Sequence, residues 1–199
     1  MSKKLTLYSD FICPFCFIAE QTTIPVLLRD HPDIEFEWVG FELHPETPPN
    51  GLKLEATDDE AAQELRRQLL ELAQEFGLGE VKAPEIVVNT MAAHALCEYA
   101  RDQGKLTEVR RALMDALWLD SLDIGTAPVL AKIAEDCGLD GEEAAEAAFD
   151  HEYRVRVIQN RSRGYAEGVT GTPMFVVGDN QVVGCQGIAD IETGLFKAS

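Results

Sequence analysis

Strand-like patterning is confined to the two ends of this chain, and that split restricts its fold more than any other feature. Near the start, Leu5-Thr6-Leu7-Tyr8 reads as a short buried strand broken at Ser9-Asp10. A helical pattern follows from Pro14 to about Arg29, with a kink expected at Pro25, and Asp30-His31-Pro32-Asp33 reads as a turn. Ile34-Glu35-Phe36-Glu37-Trp38-Val39 alternates apolar and acidic residues, which predicts a strand with one wet face. Strand, helix, strand in so short a span predicts a βαβ unit with parallel strands. At the other end, Met174–Val177 reads as a strand, Gly178-Asp179-Asn180 as a turn, Gln181–Gly184 as the returning strand and Ile188 to about Lys197 as a short helix.

Between these ends the pattern changes. Prolines at 45, 48 and 49 mark a stiff linker, Pro45–Gly51, and from there to about Val169 no convincing strand is expected. The spacing instead predicts helices over Asp58–Phe76, Asn89–Asp102, Leu106–Leu119, Pro128–Asp136 (with Thr126 as N-cap), Glu142–Phe149 and Tyr153–Glu167. No period recurs, so this block is a helical bundle rather than a repeat array. The expected organisation is α/β: a βαβ segment over residues 1–50, an all-helical insertion over 51–168, and a ββα segment over 169–199. The acidic run from Asp140 to Glu146 reads as a solvated helix face.

At 199 residues the chain is long enough for one domain carrying a large insertion, without a disulfide or metal staple. Seventeen Lys and Arg against 35 Asp and Glu give a net charge of −18. That field repels phosphate backbones and anionic lipid headgroups, so neither nucleic acid nor a membrane surface is expected as a partner. The longest nearly apolar stretch, Phe11–Ala19, is far shorter than the ~20 residues needed to span a bilayer. Lys3 and Lys4 before an apolar run faintly suggest a signal peptide. Asp10 interrupts the run, no small-x-small site follows, and cleavage there would cripple the best chemical motif, so a cytoplasmic location is expected. Five widely spread cysteines, Cys13, Cys16, Cys97, Cys137 and Cys185, do not form a secreted disulfide framework. The last three read as small buried hydrophobes, Cys185 being open to mixed disulfides if exposed.

The motif that carries chemistry is Cys13-Pro14-Phe15-Cys16, where a strand hands over to a helix. With Cys13 at the N-cap and Pro14 as the first helical residue, Cys16 falls nearly one turn on and on the same side. Free N–H groups and the positive dipole end stabilise a thiolate on Cys13, which is expected to be exposed and the more acidic. Burial raises the pKa of Cys16, the natural resolving thiol. A zinc half-site is the competing use. No second Cys or His pair lies at ligand spacing, so no metal is expected; inert burial of the pair is the other alternative. Glu37 and Glu42 are candidates for acid-base assistance under Cys16, with strand alternation favouring solvent exposure for Glu37. A second motif, Gly171-Thr172-Pro173-Met174-Phe175, places a proline at a strand start, where no ladder N–H is lost.

Together these residues resemble the DsbA-type thioredoxin-fold oxidoreductases, and more closely their FrnE-like cytoplasmic branch. Phe41-Glu42-Leu43-His44-Pro45 is similar to that branch's Phe-Glu-Leu-Asn-Pro segment, with His44 departing from it. Asn89-Thr90-Met91-Ala92-Ala93-His94 resembles its Asn-Thr-x-x-Ala-His helix start, and Asp123-Ile124-Gly125 also fits. The resemblance implies a thioredoxin-like fold with a helical insertion and a cis Pro173 beside the cysteine pair. It also implies that the Thr172 backbone receives an extended substrate. Glu42, Asn89 and His94 become candidate cleft residues, although His94 reads equally well as a hydrogen-bonded helix histidine. Phe15 stands where DsbA itself has histidine and brings no positive charge to the thiolate, which implies a milder oxidant.

The leading expectation is an enzyme that exchanges disulfides with protein or small-molecule thiols. It would have no tightly bound cofactor, with glutathione a candidate co-substrate. The alternative is a glutathione-dependent isomerase or transferase of the 2-hydroxychromene-2-carboxylate isomerase or kappa class. Those families resemble the same fold but typically carry serine at the Cys13 position, and a Ser-Asp pair where this chain has Gly184-Cys185-Gln186. A redox-sensing adaptor, with a reactive pair but no turnover, is the third reading.

Overall fold

The structure, a computed structural model, describes residues 4–53, 64, 67, 70–71, 73–78, 81–82 and 86–196. Its main sheet has four strands in the order β2-β1-β5-β6. They are β1 (Lys4–Ser9), β2 (Glu35–Gly40), β5 (Met174–Val177) and β6 (Asn180–Val183). β1 pairs parallel with β2, with Tyr8 opposite Val39, and antiparallel with β5, with Tyr8 opposite Met174. The two ends of the chain therefore meet on either side of one strand. β1 is buried along Leu5–Ser9, as a strand with neighbours on both edges must be. Gly178 and Asp179 form the β5–β6 turn, with Gly178 at φ +60°, and the returning strand is Asn180–Val183.

The helical pattern after the motif divides into α1 (Pro14–Gln21) and α2 (Thr23–Asp30), so the break falls at Thr22 and not at the expected Pro25. Pro25 has no N–H to bond back to Gln21, and its ring would clash with that carbonyl in a continuous helix. Ending the first helix at Gln21 leaves Pro25 in the first turn of the second, where a missing N–H costs nothing. β2 also departs from simple alternation. Glu35 is exposed, whereas Trp38, Val39 and Gly40 are all buried, because its second half is covered on both faces.

The insertion contains α3 (Met91–Asp102), α4 (Leu106–Trp118), α5 (Ala127–Asp136), α6 (Gly141–Phe149) and α7 (His151–Ala166), followed after the hairpin by α8 (Ile188–Phe196). It is not the strand-free block that the sequence pattern predicts. β3 (Leu52–Lys53) and β4 (Ile86–Val87) form a two-residue antiparallel ladder, too short for any periodic signal. Most of the expected helix over Asp58–Phe76 lies outside the described residues; residues 73–75 are helical, and Gly77 ends the run at φ +67°. Asp140 and Asp150 cap α6 and α7 through the amides of Glu143 and Glu152, and the acidic residues at 142, 143 and 146 are exposed. Thr126 is the N-cap of α5, but its hydroxyl bonds the Asp123 carbonyl instead of the helix.

α7 lies against the sheet at Gly164. A Cβ there would stand 2.5 Å from Phe41 Cδ2 and 2.7 Å from Cε2. Exchanging a mid-helix glycine for alanine ordinarily gains about 1 kcal/mol. Here overpacking, at about 1–3 kcal/mol, reverses the sign. Gly164→Ala is expected to lower the midpoint of thermal unfolding, and an unchanged or raised midpoint would contradict this packing.

Candidate active site

Asp10, Phe11 and Ile12 turn the chain from the end of β1 into α1. Cys13 is the N-cap, with extended backbone (φ −81°, ψ 115°), and Pro14 is the first helical residue. The Cys13 amide closes the turn onto the Asp10 carbonyl at 3.3 Å, and the amides of Cys16 and Phe17 both donate to the Cys13 carbonyl. Cys13 and Cys16 are free thiols. The Thr172–Pro173 bond is cis, and the Thr172 carbonyl accepts the Cys13 thiol proton at 3.3 Å. The two sequence motifs, 159 residues apart, thus meet at one sulfur.

The sulfurs differ electrostatically as their places in the helix require. A hydrogen bond from the Cys16 thiol lowers the Cys13 pKa, and the Thr172 side chain and the amides of Cys16 and Phe15 lower it further against the opposing effect of burial. Complete burial pushes the Cys16 thiol well above its ordinary value, and the neighbouring Cys13 sulfur adds to that rise. Cys13 is not exposed as expected: it is 6% accessible, against 1% for Cys16. Thr172 and the helix-end donors lie close around it, and the same proximity that stabilises its thiolate covers it. The Thr172 hydroxyl is buried and has no hydrogen-bond partner while Cys13 carries its proton, so a Cys13 thiolate offers it an acceptor. Phe15 is half-buried against the core.

Asp10 is the residue that sequence reading missed. It is completely buried. Its Oδ1 lies 2.9 Å from His94 Nε2, and its Oδ2 accepts the Leu43 amide at 2.7 Å. An ionised carboxylate only accepts, so His94 Nε2 carries the proton between them. Burial works against the Asp10 charge, but His94, the Leu43 amide and the Thr90 hydroxyl outweigh it and hold the carboxyl below its ordinary value. The only signal in the sequence was a charged residue inside the apolar flank of the cysteine motif.

The other candidates separate. His94 is buried, stacked against Trp38 with ring centroids at 5.8 Å and tilted against Phe11 at 4.9 Å. Glu42 is buried and paired with Arg161 at 2.6 Å; burial raises its pKa against the pull of His94 and Arg161. Asn89 does local structural work, donating to the Thr47 carbonyl and accepting the Met91 amide. Cys97 is buried, whereas Cys137 and Cys185 are only half-buried. Burial and the nearby Cys13 sulfur push Cys185 up to about 11. Among the described residues no cluster of His, Cys, Asp and Glu could hold a metal ion, and no helix is long and apolar enough to cross a membrane.

Glu37 is neither free in solvent nor under Cys16. It pairs with Arg163 and Lys4 at 2.9 and 3.1 Å and accepts from the Thr6 hydroxyl. The Arg163 hydrogen bond, with Lys4, lowers its pKa from 4.5 to about 2. A lowered carboxyl contributes stability that is present above 4.5 and lost as pH falls toward 2. Glu37→Gln is expected to flatten the fall in urea-unfolding stability between those pH values; an unchanged slope would remove this role.

The DSBA-like thioredoxin domain model matches residues 4–195. The Bacillus subtilis protein YwbO is 28% identical over 191 residues, covering 94% of this chain and 92% of that protein. The 2-hydroxychromene-2-carboxylate isomerase of Sphingobium xenophagum is 26% identical over 190 residues, covering 90% and 91%. The crystal structure of a probable DsbA oxidoreductase from Streptomyces coelicolor superposes with a TM-score of 0.85 at 21% identity, covering 99% of this chain and 92% of that one.

The asymmetry of the sulfurs has a direct readout. Iodoacetamide is expected to modify Cys13 before Cys16, with a midpoint below the ~8.5 of a free cysteine. Thr172→Val, which removes the hydroxyl but keeps the shape, is expected to raise that midpoint; earlier alkylation of Cys16 would reverse the assignment.

Proposed function

From the premise that this chain belongs to the DSBA-like thioredoxin domain family, we propose that it is a thiol-disulfide oxidoreductase working through Cys13 and Cys16. The observation that carries this reading is the pairing of an acidic thiol at a helix N-cap with a buried, less acidic thiol one turn behind it. The Cys13 thiolate attacks one sulfur of a client disulfide, forming a mixed disulfide and expelling the other client sulfur as a thiolate. Cys16 then loses its proton and attacks the Cys13 sulfur, and the second client thiolate leaves. Two electrons pass to the client and the Cys13–Cys16 disulfide forms; the reverse sequence oxidises a client dithiol.

Thr172 and Pro173 border the attacking sulfur. In this reading the Thr172 backbone aligns an extended client while Phe15 offers it an apolar edge. Phe15 brings no cation to the thiolate, which supports a milder oxidant than DsbA. The segments around Glu42, Asn89 and His94 support placement in the FrnE-like branch. The widely spaced cysteines support a reducing, cytoplasmic setting, where glutathione is a fitting small-molecule thiol partner.

A glutathione-dependent isomerase is the second reading, favoured by the relative from Sphingobium xenophagum. Such chemistry needs a group that activates glutathione but no resolving thiol. Cys13→Ser is expected to abolish reduction of insulin disulfides, and Cys16→Ser to accumulate mixed disulfides with its clients. A Cys16→Ser protein that traps no client and keeps full glutathione-dependent isomerase activity would replace the exchange reading with the second.

A further inference from the structure

The turn that delivers Cys13 is held by two side chains of the insertion together with the Leu43 amide just after β2. Three consecutive residues of this turn region each meet a different anchor. The Ser9 hydroxyl is among the few groups favouring charge on the buried Cys16. The Asp10 carboxylate is bound by His94 of α3 and by the Leu43 amide. The Phe11 carbonyl accepts Trp118 Nε1 of α4 at 2.8 Å. The Asp10 carbonyl in turn receives the Cys13 amide. A movement of Asp10 therefore moves both the Cys13 N-cap and the hydroxyl beside Cys16.

The space for His94 is closely fitted. A Cβ on Gly40 would stand 2.4 Å from its Nδ1, so glycine at the end of β2 admits the ring. The Nδ1 atom itself is buried without a partner, and the ring's one polar attachment is Asp10. Leaving Nδ1 unpaired is unfavourable, and the ring offsets that cost through the one polar contact it makes, from Nε2 to the Asp10 carboxylate. We propose that Asp10 and His94 are positioning residues for the reactive cysteines: the buried pair fixes the turn so that the helix-end amides and Thr172 converge on the Cys13 sulfur. The thiol acidity and the redox poise of the Cys13–Cys16 pair are thus set in part from the helical insertion.

This rests on the exchange reading of the pair, but both quantities are measured without a client, so absent turnover and an absent shift are separate results. His94→Phe keeps a ring in the stack and removes the donor, whereas His94→Gln keeps a donor able to reach Asp10. In the folded His94→Phe protein, the midpoint of Cys13 alkylation is expected to rise by about one pH unit. A less stable thiolate also favours the disulfide, so equilibrium with glutathione is expected to shift about tenfold toward it, about 30 mV more reducing. His94→Gln is expected to restore both values toward the unsubstituted protein. Unchanged values in folded His94→Phe, or equal shifts in both variants, would overturn the proposal. Should His94→Phe fail to fold, the His94 ring signals of the unsubstituted protein are compared by NMR in the reduced and oxidised states. Because coupling is reciprocal, they are expected to differ, and identical signals would overturn it.

Discussion

A carboxylate with no access to water must find its hydrogen bonds within the protein, and Asp10 finds them in two separate segments of the chain. The Leu43 amide follows β2, and the Thr90 hydroxyl and His94 open α3. An unpaired buried carboxylate would cost several kcal/mol or give up its charge. Satisfying it obliges the chain after β2 and the first long helix of the insertion to close on the same turn. The sheet alone could place Cys13 near Thr172, because β1 and β5 are neighbours. Fixing the turn between β1 and α1 needs the insertion.

The sulfur chemistry follows from that placement. Both thiols are buried, so burial by itself would raise both pKa values and leave neither reactive. What separates them is the supply of donors. Cys13, at the N-cap, is reached by the Cys16 thiol, by Thr172 and by the first-turn amides of Cys16 and Phe15. Cys16, inside the helix, is carried up by burial and by the neighbouring Cys13 sulfur, which outweigh the Ser9 and Thr172 side chains that favour its charge. One turn of helix converts two identical side chains into a nucleophile and a reserve.

Around this centre the strong negative charge is distributed rather than uniform. Glu20 pairs with Arg110 inside the molecule, Glu42 with Arg161, and Glu37 with Lys4 and Arg163. These acids are held by basic residues from distant parts of the chain, largely from the insertion. The acidic residues of α6 remain in water. Inside, charge serves to tie the insertion to the sheet; outside, it keeps the surface solvated.

Much of the fold was legible in the residues. Short strands with period-two or continuous apolar runs, and helices with an apolar stripe, are local patterns, and β1, β2, β5, β6 and the helices of the insertion follow them closely. Cys13-Pro14-Phe15-Cys16 is likewise local: its spacing and the proline at the first helical position set the order of the two thiols before any tertiary contact forms. The two-residue ladder of β3 and β4 carried no such pattern, and the break at Thr22 was hidden because the proline that causes it sits one turn downstream. The sequence alone could not reveal which charges are buried. Glu37 alternates like a surface acid but is gripped by Arg163, and Asp10 looks like a strand breaker but is the most completely enclosed carboxylate at the site. Periodicity and capping act between residues a few positions apart, so the sequence by itself determined the elements and the reactive pair. Desolvation and hydrogen bonding act between whatever groups the fold brings together, so only the tertiary structure decided that Leu43, Thr90 and His94 enclose Asp10 and that Thr172 meets the reactive pair.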